Sequence, residues 1–414
     1  MSFKQKQLIQ FAENTGNIDA FERLRVSHPQ GIFDSQFTYD LHPLLYEQIT
    51  NGSGATVTHD ATNRNALMTF SSTPTGGKSF MQSYEHLRYQ PGKSQLVRAT
   101  FNFIEATANV LKFVGLSDGV NGYEFQLNGT TKRFVIYSGT SLGNQIVNQA
   151  DWNLDKLDGS GATGINPSGF TLNIAKSNHL VIDFEALYVG RVRMGFDIGG
   201  HIVYCHQFTF SNAVTNQYIQ TANLPIRAGM TCTGTVSTTM LFHCCTVISE
   251  GGQEATSGYE FSVEGTVTAG SGTRTHILSI RPKTTFNSIT NRVKIEFVDV
   301  NVLVTGANPV LWELCLGQAI SGTTTFVDTN ATYSASEYNT LGTISGSPAI
   351  VINSGYVPAS NQAKGASLVN LTHRYPITLD AAGAVRALGT LSLIVTGISA
   401  TTACRASMRI NEVR

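Results

Sequence analysis

Residues 123–139 read YEFQLNGTTKRFVIYSG. Two runs of aromatic and β-branched residues flank Asn128-Gly129, and strand, Asn-Gly, strand is the strongest short-range hairpin signal. The chain before it behaves alike. In LVRATFNFIEA (96–106), Leu96, Arg98, Thr100 and Asn102 alternate with Val97, Ala99, Phe101 and Phe103. That is the two-residue period of a strand with one face in a core. ANVLKFVGLSD then stops at Asp118-Gly119, with Asn121-Gly122 close behind. Downstream, TLNIAKSNHLVIDFEALYVGRVRMGFDIGGHIVYCHQFTF (171–210) divides into three or four strands, with Gly199-Gly200 as a second two-residue loop.

Further out, SEGGQEATSG (249–258) is a polar, glycine-rich break. Beyond it strands recur in YEFSVEGTVTA, RTHILSIRPK, NRVKIEFVDVNVLVTG, PVLWELCLG and LGTLSLIVTGI. Many short strands with turn residues at regular spacing predict an all-β chain of tandem antiparallel β-sandwich or jelly-roll domains. The expected division is 29–250 and 251–414, preceded by a short N-terminal arm over 1–28. DAAGAVRAL (380–388) offers one short helix at most, because Gly383 interrupts it. GYEF occurs at 122–125 and again at 258–261. Domain duplication and chance turn vocabulary explain that recurrence equally well.

Residues 1–28 are mixed and charged, with too few helical turns to be stable alone. They read either as a frayed terminus or as an arm that orders on a neighbouring subunit. In the second case its anchors are Leu8, Ile9, Phe11, Ile18, Phe21 and Leu24. The run between Lys6 and Glu13 is too short for the apolar core of a signal peptide. No window approaches 18 consecutive apolar residues.

Lys+Arg and Asp+Glu number 28 each, and charged residues make up 14% of the 414, against roughly 25% in ordinary domains. A neutral chain lacks the positive field of a phosphate-backbone binder, so nucleic acid is not an expected partner. Hydrophobic residues at 41% exclude a disordered chain. Sparse charge suits a protein packed against neighbours.

Sites of chemistry are few. GTSLG (139–143) matches a nucleophile elbow at Ser141, but that motif needs a helix behind the turn, and NQIVNQADWN is a poor one. PGKS (91–94) lacks the Walker glycine, since Leu87 stands there. DWNLDKLDG (151–159) sets Asp151, Asn153, Asp155 and Asp158 as a calcium loop would, yet Lys156 and Ala162 occupy the glycine and glutamate positions. It reads as an Asx-rich connection with Trp152 and Leu154 or Leu157 pinned to a sheet, or as a structural cation site of another type. In Cys205-His206 and His243-Cys244-Cys245, neighbours on a strand point to opposite faces and do not share a metal easily. The six cysteines read mostly as buried free thiols, with a Cys205–Cys232 disulfide left open. Asp183 and Glu185 project from one strand face, as do Arg191 and Arg193. Cross-strand ion pairing is their expected role, and a sugar-binding or catalytic acid the alternative. No catalytic residue, metal or cofactor is expected.

The same residues bear a resemblance. FERLRVSHPQGIFDSQFTYD (21–40), RYQPGKSQLVRATFNF (88–103), WNLDKLDG (152–159), SGFTLN (168–173), IDFEALYVGRVRMGF (182–196), HQFTFSN (206–212), NLPIR (223–227) and SEGG (249–252) occur in that order. Together they resemble a family of virion structural proteins of tailed bacteriophages, also found in some large DNA viruses. Ala186 stands where that family implies an aromatic, and Thr209-Phe210-Ser211-Asn212 where it implies His-Ala-Asn. The resemblance implies a multicopy, non-enzymatic particle component, made and assembled in the host cytoplasm and located in the virion. Its expected partners are itself, as a trimer or higher oligomer, and other virion proteins, with no membrane. The alternative is a receptor- or glycan-binding adhesin on the virion, in which Tyr137, Trp152 and Tyr333 are exposed and stack on sugar.

Overall fold

The computed structural model describes residues 29–161, 164–252, 258–323, 325–348, 350–359 and 377–414. The chain is all-β. It forms two compact units that divide at Gln253/Glu254, and Tyr84–His86 group with the second. A single cut in sequence does not anticipate that excursion. The anchors named for the arm, Leu8 to Leu24, lie outside the described residues.

The first unit contains β1 (Pro29–Gln36), β2 (Tyr46–Asn51), β3 (Ala55–Asp60), β4 (Asn65–Thr73), β5 (Lys78–Ser83), β6 (Ser94–Asn102), β7 (Val110–Ser117) and β8 (Gly122–Asn128). It continues with β9 (Thr131–Tyr137), β10 (Gln145–Asn148), β11 (Asn178–Phe184), β12 (Val192–Ile198), β13 (His201–Phe208), β14 (Ile226–Cys232) and β15 (Val236–Glu250). One sheet runs β13-β12-β11-β6-β15-β4-β3, with β1 also on β15; the other runs β10-β9-β8-β7-β14-β5-β2. On β15, residues 236–242 pair with β4 and residues 244–250 with β1.

The alternation read in the sequence decides which side chains meet. Val97, Ala99 and Phe101 of β6 enter the core with Val114, Phe125 and Phe134 of the opposite sheet. Phe101 and Phe125 approach to 5.8 Å between ring centres. The β8–β9 hairpin turns one residue later than Asn-Gly suggests. Asn128 pairs with Thr131, so Gly129-Thr130 form the loop, and Gly129 takes φ +59°. Gly199-Gly200 close β12 on β13, both at positive φ, as a two-residue loop requires.

In the second unit, strands Tyr259–Ala269, Thr402–Val413 and Lys294–Val304 form a three-stranded sheet in that order. A six-stranded sheet centres on Thr275–Pro282, Leu391–Gly397 and Val310–Leu316. Val300 and Met408 from the first meet Leu278, Trp312 and Leu393 from the second in one core. DAAGAVRAL forms no helix: Gly383 donates its N–H to the Asp380 carbonyl in a turn, and Leu379 bridges Val385. The repeated GYEF is not structurally equivalent, for Tyr123 is fully buried and Tyr259 is 58% exposed.

Candidate functional site

Register carries the outward side chains of the eight-stranded sheet into rungs. One rung crosses β12, β11, β6, β15 and β1 as Asp197, His179, Thr100, Cys244 and Gln36. The next reads Gly195, Val181, Arg98, Thr246 and Asp34, and the third Arg193, Asp183, Leu96, Ile248 and Gly31. The first two rungs border an open groove of about 320 Å³ lined by Asp34, Gln36, Arg98, Thr100, His179 and Thr246, with Cys244 beside them. That is the small end of the roughly 300–1,000 Å³ typical of ligand sites.

Arg98 is fixed by Asp197, whose Oδ2 accepts from Nη2 at 2.5 Å, while Arg98 Nε is buried with no hydrogen-bond partner. Burial, and then the Arg98 charge, lower the His179 pKa against the opposing pull of Asp197. The imidazole is therefore neutral at neutral pH, one nitrogen donating and the other accepting. Asp34 is exposed and has no ion pair among the described residues. Among the described residues, with Arg98 compensated by Asp197, Asp34 leaves the groove one negative charge without an ion-pair partner.

The third rung contains the expected cross-strand pair. Asp183 Oδ2 accepts from Arg193 Nη2 at 2.6 Å and from the Tyr204 hydroxyl at 2.6 Å. The guanidinium lies 4.2 Å from the Tyr204 ring centre. Leu96, Val181, Tyr204, Leu154 and Ile248 enclose this pair in a small apolar cluster on the outer face. Glu185 Oε1 accepts the Arg191 backbone N–H at 3.0 Å and so shapes the β11–β12 connection.

The seven-stranded sheet holds a second polar network on its outer face. Val135, Glu124, Gly115, Arg227, Gln82 and Glu47 form one rung across β9, β8, β7, β14, β5 and β2. Glu124 Oε2 accepts from Gln126 Nε2 at 2.7 Å. Gln126 is held in turn by Arg133 Nε at 2.9 Å and by the Tyr137 hydroxyl at 2.9 Å. Burial raises the Glu124 pKa against the opposing pull of Arg227. Sequence reading passed over Glu124 because YEFQL alternates like any half-buried strand. The one signal was a carboxylate and an amide on its polar positions.

Carboxylate spacing limits the chemistry. Asp34 and Asp197 stand four strand steps apart on one face, as do Glu124 and Glu47 on the other. At about 4.8 Å per step that is roughly 19 Å. Paired-carboxylate glycoside hydrolysis needs about 5–9.5 Å. Neither of these two pairs is spaced as an acid and base around one bond.

The other sequence candidates find ordinary places. Ser141 lies in the β9–β10 loop, between two strands, and its Oγ accepts from Asn216 at 3.1 Å. Asp155 accepts the backbone N–H of Leu157 and Asp158 that of Ser160, as Asx turns do, and Asp155 also accepts the Ser168 N–H across the connection. Cys205 and Cys232 are both free and buried. Trp152 is corrected as a sugar-stacking residue. It is 1% exposed, stacked on Phe134 at 4.4 Å, because the 151–159 connection folds Trp152 and Leu157 into the core. Tyr137 is half-buried and hydrogen-bonded, whereas Tyr333 is 66% exposed.

No family model matches the chain, and no curated protein matches it. Among solved structures it is similar to an endo-1,3-β-glucanase from Streptomyces sioyaensis, at TM-score 0.39 and 11% identity over 54% of this chain and 97% of that one. A pseudo β-1,3-glucanase of Mycobacterium tuberculosis gives 0.36 and 11%, over 53% and 98%. A carbohydrate esterase of the Shiga toxin-encoding bacteriophage phi24B gives 0.33 and 12%, over 54% and 100%. Likeness at this level places none of their activities on this chain.

Proposed function

We propose that the chain is a glycan-binding protein of a phage particle, which holds a sugar in the groove on its eight-stranded sheet without cleaving it. The groove itself carries the reading. Its hydroxyls, amide, neutral imidazole and charged groups converge from β1, β6, β11 and β15 on a volume suited to one or two sugar units. Its uncompensated Asp34 disfavours acidic sugars and accepts neutral or amine-bearing ones. The particle assignment, with the chain as a homo-oligomer beside other virion proteins, rests on the ordered motifs between residues 20 and 252.

Calorimetry of the full chain against neutral, N-deacetylated and uronic-acid oligosaccharides tests the binding. Neutral or amine-bearing members should bind, and Arg98→Ala and Asp34→Ala should each weaken that binding at least tenfold. Failure of every oligosaccharide sinks the reading. Shortened products by mass spectrometry would replace binding with hydrolysis. Peptide mass spectrometry of purified particles tests the location.

A further inference from the structure

In the second unit, the sheet of Tyr259–Ala269, Thr402–Val413 and Lys294–Val304 turns one face to its core and the other to solvent. On the outer face, Glu260, Asn411 and Glu296 form one rung, and Ser262, Arg409 and Asp299 the next. These rungs close on themselves. Arg409 Nη2 donates to Asp299 Oδ2 at 2.5 Å, and its Nη1 lies 3.4 Å from Glu260. Asn411 Nδ2 donates to Glu296 Oε2 at 3.2 Å.

The following two rungs stay open. Glu264, Ser407 and Asn301 form one, and Thr266, Arg405 and Leu303 the other. Together they line a concavity of about 210 Å³. Among the described residues, none of their polar side chains is hydrogen-bonded or ion-paired within the chain. Arg405 and Glu264 stand on neighbouring strands, one rung apart, and do not join, whereas Arg409 on the same strand as Arg405 has two carboxylates. A cation, a carboxylate, two hydroxyls and an amide thus border one space, and Leu303, 47% exposed, is its apolar patch.

We propose that this concavity binds a sugar acid, with the ligand carboxylate on Arg405. The planar guanidinium offers parallel N–H donors that match a carboxylate. Glu264 accepts from a ring hydroxyl and repels a second carboxylate, so it selects a hydroxylated anion over a bare one. Ser407, Thr266 and Asn301 serve the remaining hydroxyls, and the C–H face of the ring rests on Leu303. The volume is below the roughly 300 Å³ at which ligand sites ordinarily begin, which suits one ring and not a chain. This position is independent of the groove, where Asp34 disfavours the acidic sugars that Arg405 takes.

The test follows the Leu303 methyl resonances of the full chain by NMR, assigned through Leu303→Val. The probes are glucuronate, galacturonate and N-acetylneuraminate, with glucose, galactose and acetate as controls, each raised through the millimolar range. At least one sugar acid should shift the methyls saturably and at least tenfold more tightly than every control. Arg405→Gln should weaken that response at least tenfold, and Glu264→Ala should erase the preference over acetate, both in proteins that melt at the wild-type temperature. Arg98→Ala should leave the response intact. The proposal fails if no sugar acid moves the methyls, if the response does not saturate, or if it survives Arg405→Gln. It fails equally if acetate binds as well, which would leave an exposed arginine that takes any anion. Shifts that follow protein concentration without sugar would overturn it in favour of a contact between copies. Loss of the response in Arg98→Ala would assign it to the groove, and silence at Leu303 beside oligosaccharide binding by the groove would overturn this position alone.

Discussion

Glu124 sets the clearest energetic problem among single residues. Burial holds its pKa above the unfolded carboxyl value. Over the interval between the two values the native state binds more protons than the unfolded state, so stability falls as pH rises through it. Glu124→Gln should therefore raise the melting temperature at pH 7 and leave it nearly unchanged at pH 3. A lower melting temperature at pH 7 would show the charge to be stabilising. His206 works with the opposite sign. Burial pushes it down to about 4, and its Nδ1 accepts the Asn153 backbone N–H at 3.3 Å. Between its unfolded value near 6.5 and about 4 the unfolded state holds the extra proton, so stability is lost as pH falls through that window. Urea titrations at pH 7 and pH 5 should show a smaller loss in His206→Gln than in the wild type. The buried pair behaves differently again. Asp183→Asn leaves the Arg193 charge enclosed and should cost roughly 3–5 kcal/mol, read by the same titrations. Asp183 and Arg193 were legible as partners because they sit on one strand face each, two residues from their like neighbours. The depth of their burial was not, because Leu154 and Ile248 come from elsewhere in the chain to enclose them.

At the scale of elements, strands were legible and their company was not. The period of 96–103 states which side of β6 is apolar, and the core contains that side. Nothing in residues 29–36 states that they pair with 244–250, since PQGIFDSQ has a weak alternation and the partner is more than two hundred residues away. The groove exists only because that pairing brings Asp34 and Gln36 beside Arg98 and Thr100, so composition and spacing held no trace of it. β1 is also anchored through Phe33, which is 7% exposed and meets Tyr46 edge-on at 5.8 Å. Phe33→Ala should cost roughly 3–5 kcal/mol, measured by urea unfolding, and should weaken glycan binding in the groove as β1 loosens. Full stability in that variant would mean that β1 is held by its backbone ladder alone.

Among the described residues each unit has a large core of its own. If it works as a homo-oligomer, light scattering coupled to size exclusion should give at least three times the chain mass at micromolar concentration. A persistent monomer, alone and with particle proteins, would remove that part of the proposal. The route by which the first unit is made is set by β15. This strand joins β4 and β1 on one side to β6 on the other, yet it is the last of the unit's strands in chain order. At a ribosomal pace of about 5–20 residues per second, β4 is out for roughly ten to thirty seconds before β15 follows. Throughout that interval the backbone edges of β4 and β6 are without their shared neighbour, and Met68, Phe70, Val97 and Phe101 without their finished core. Unpaired edges of this kind recruit other nascent chains. Soluble yield is then governed by whatever shields those edges during synthesis, and only secondarily by how firmly the completed sandwich holds.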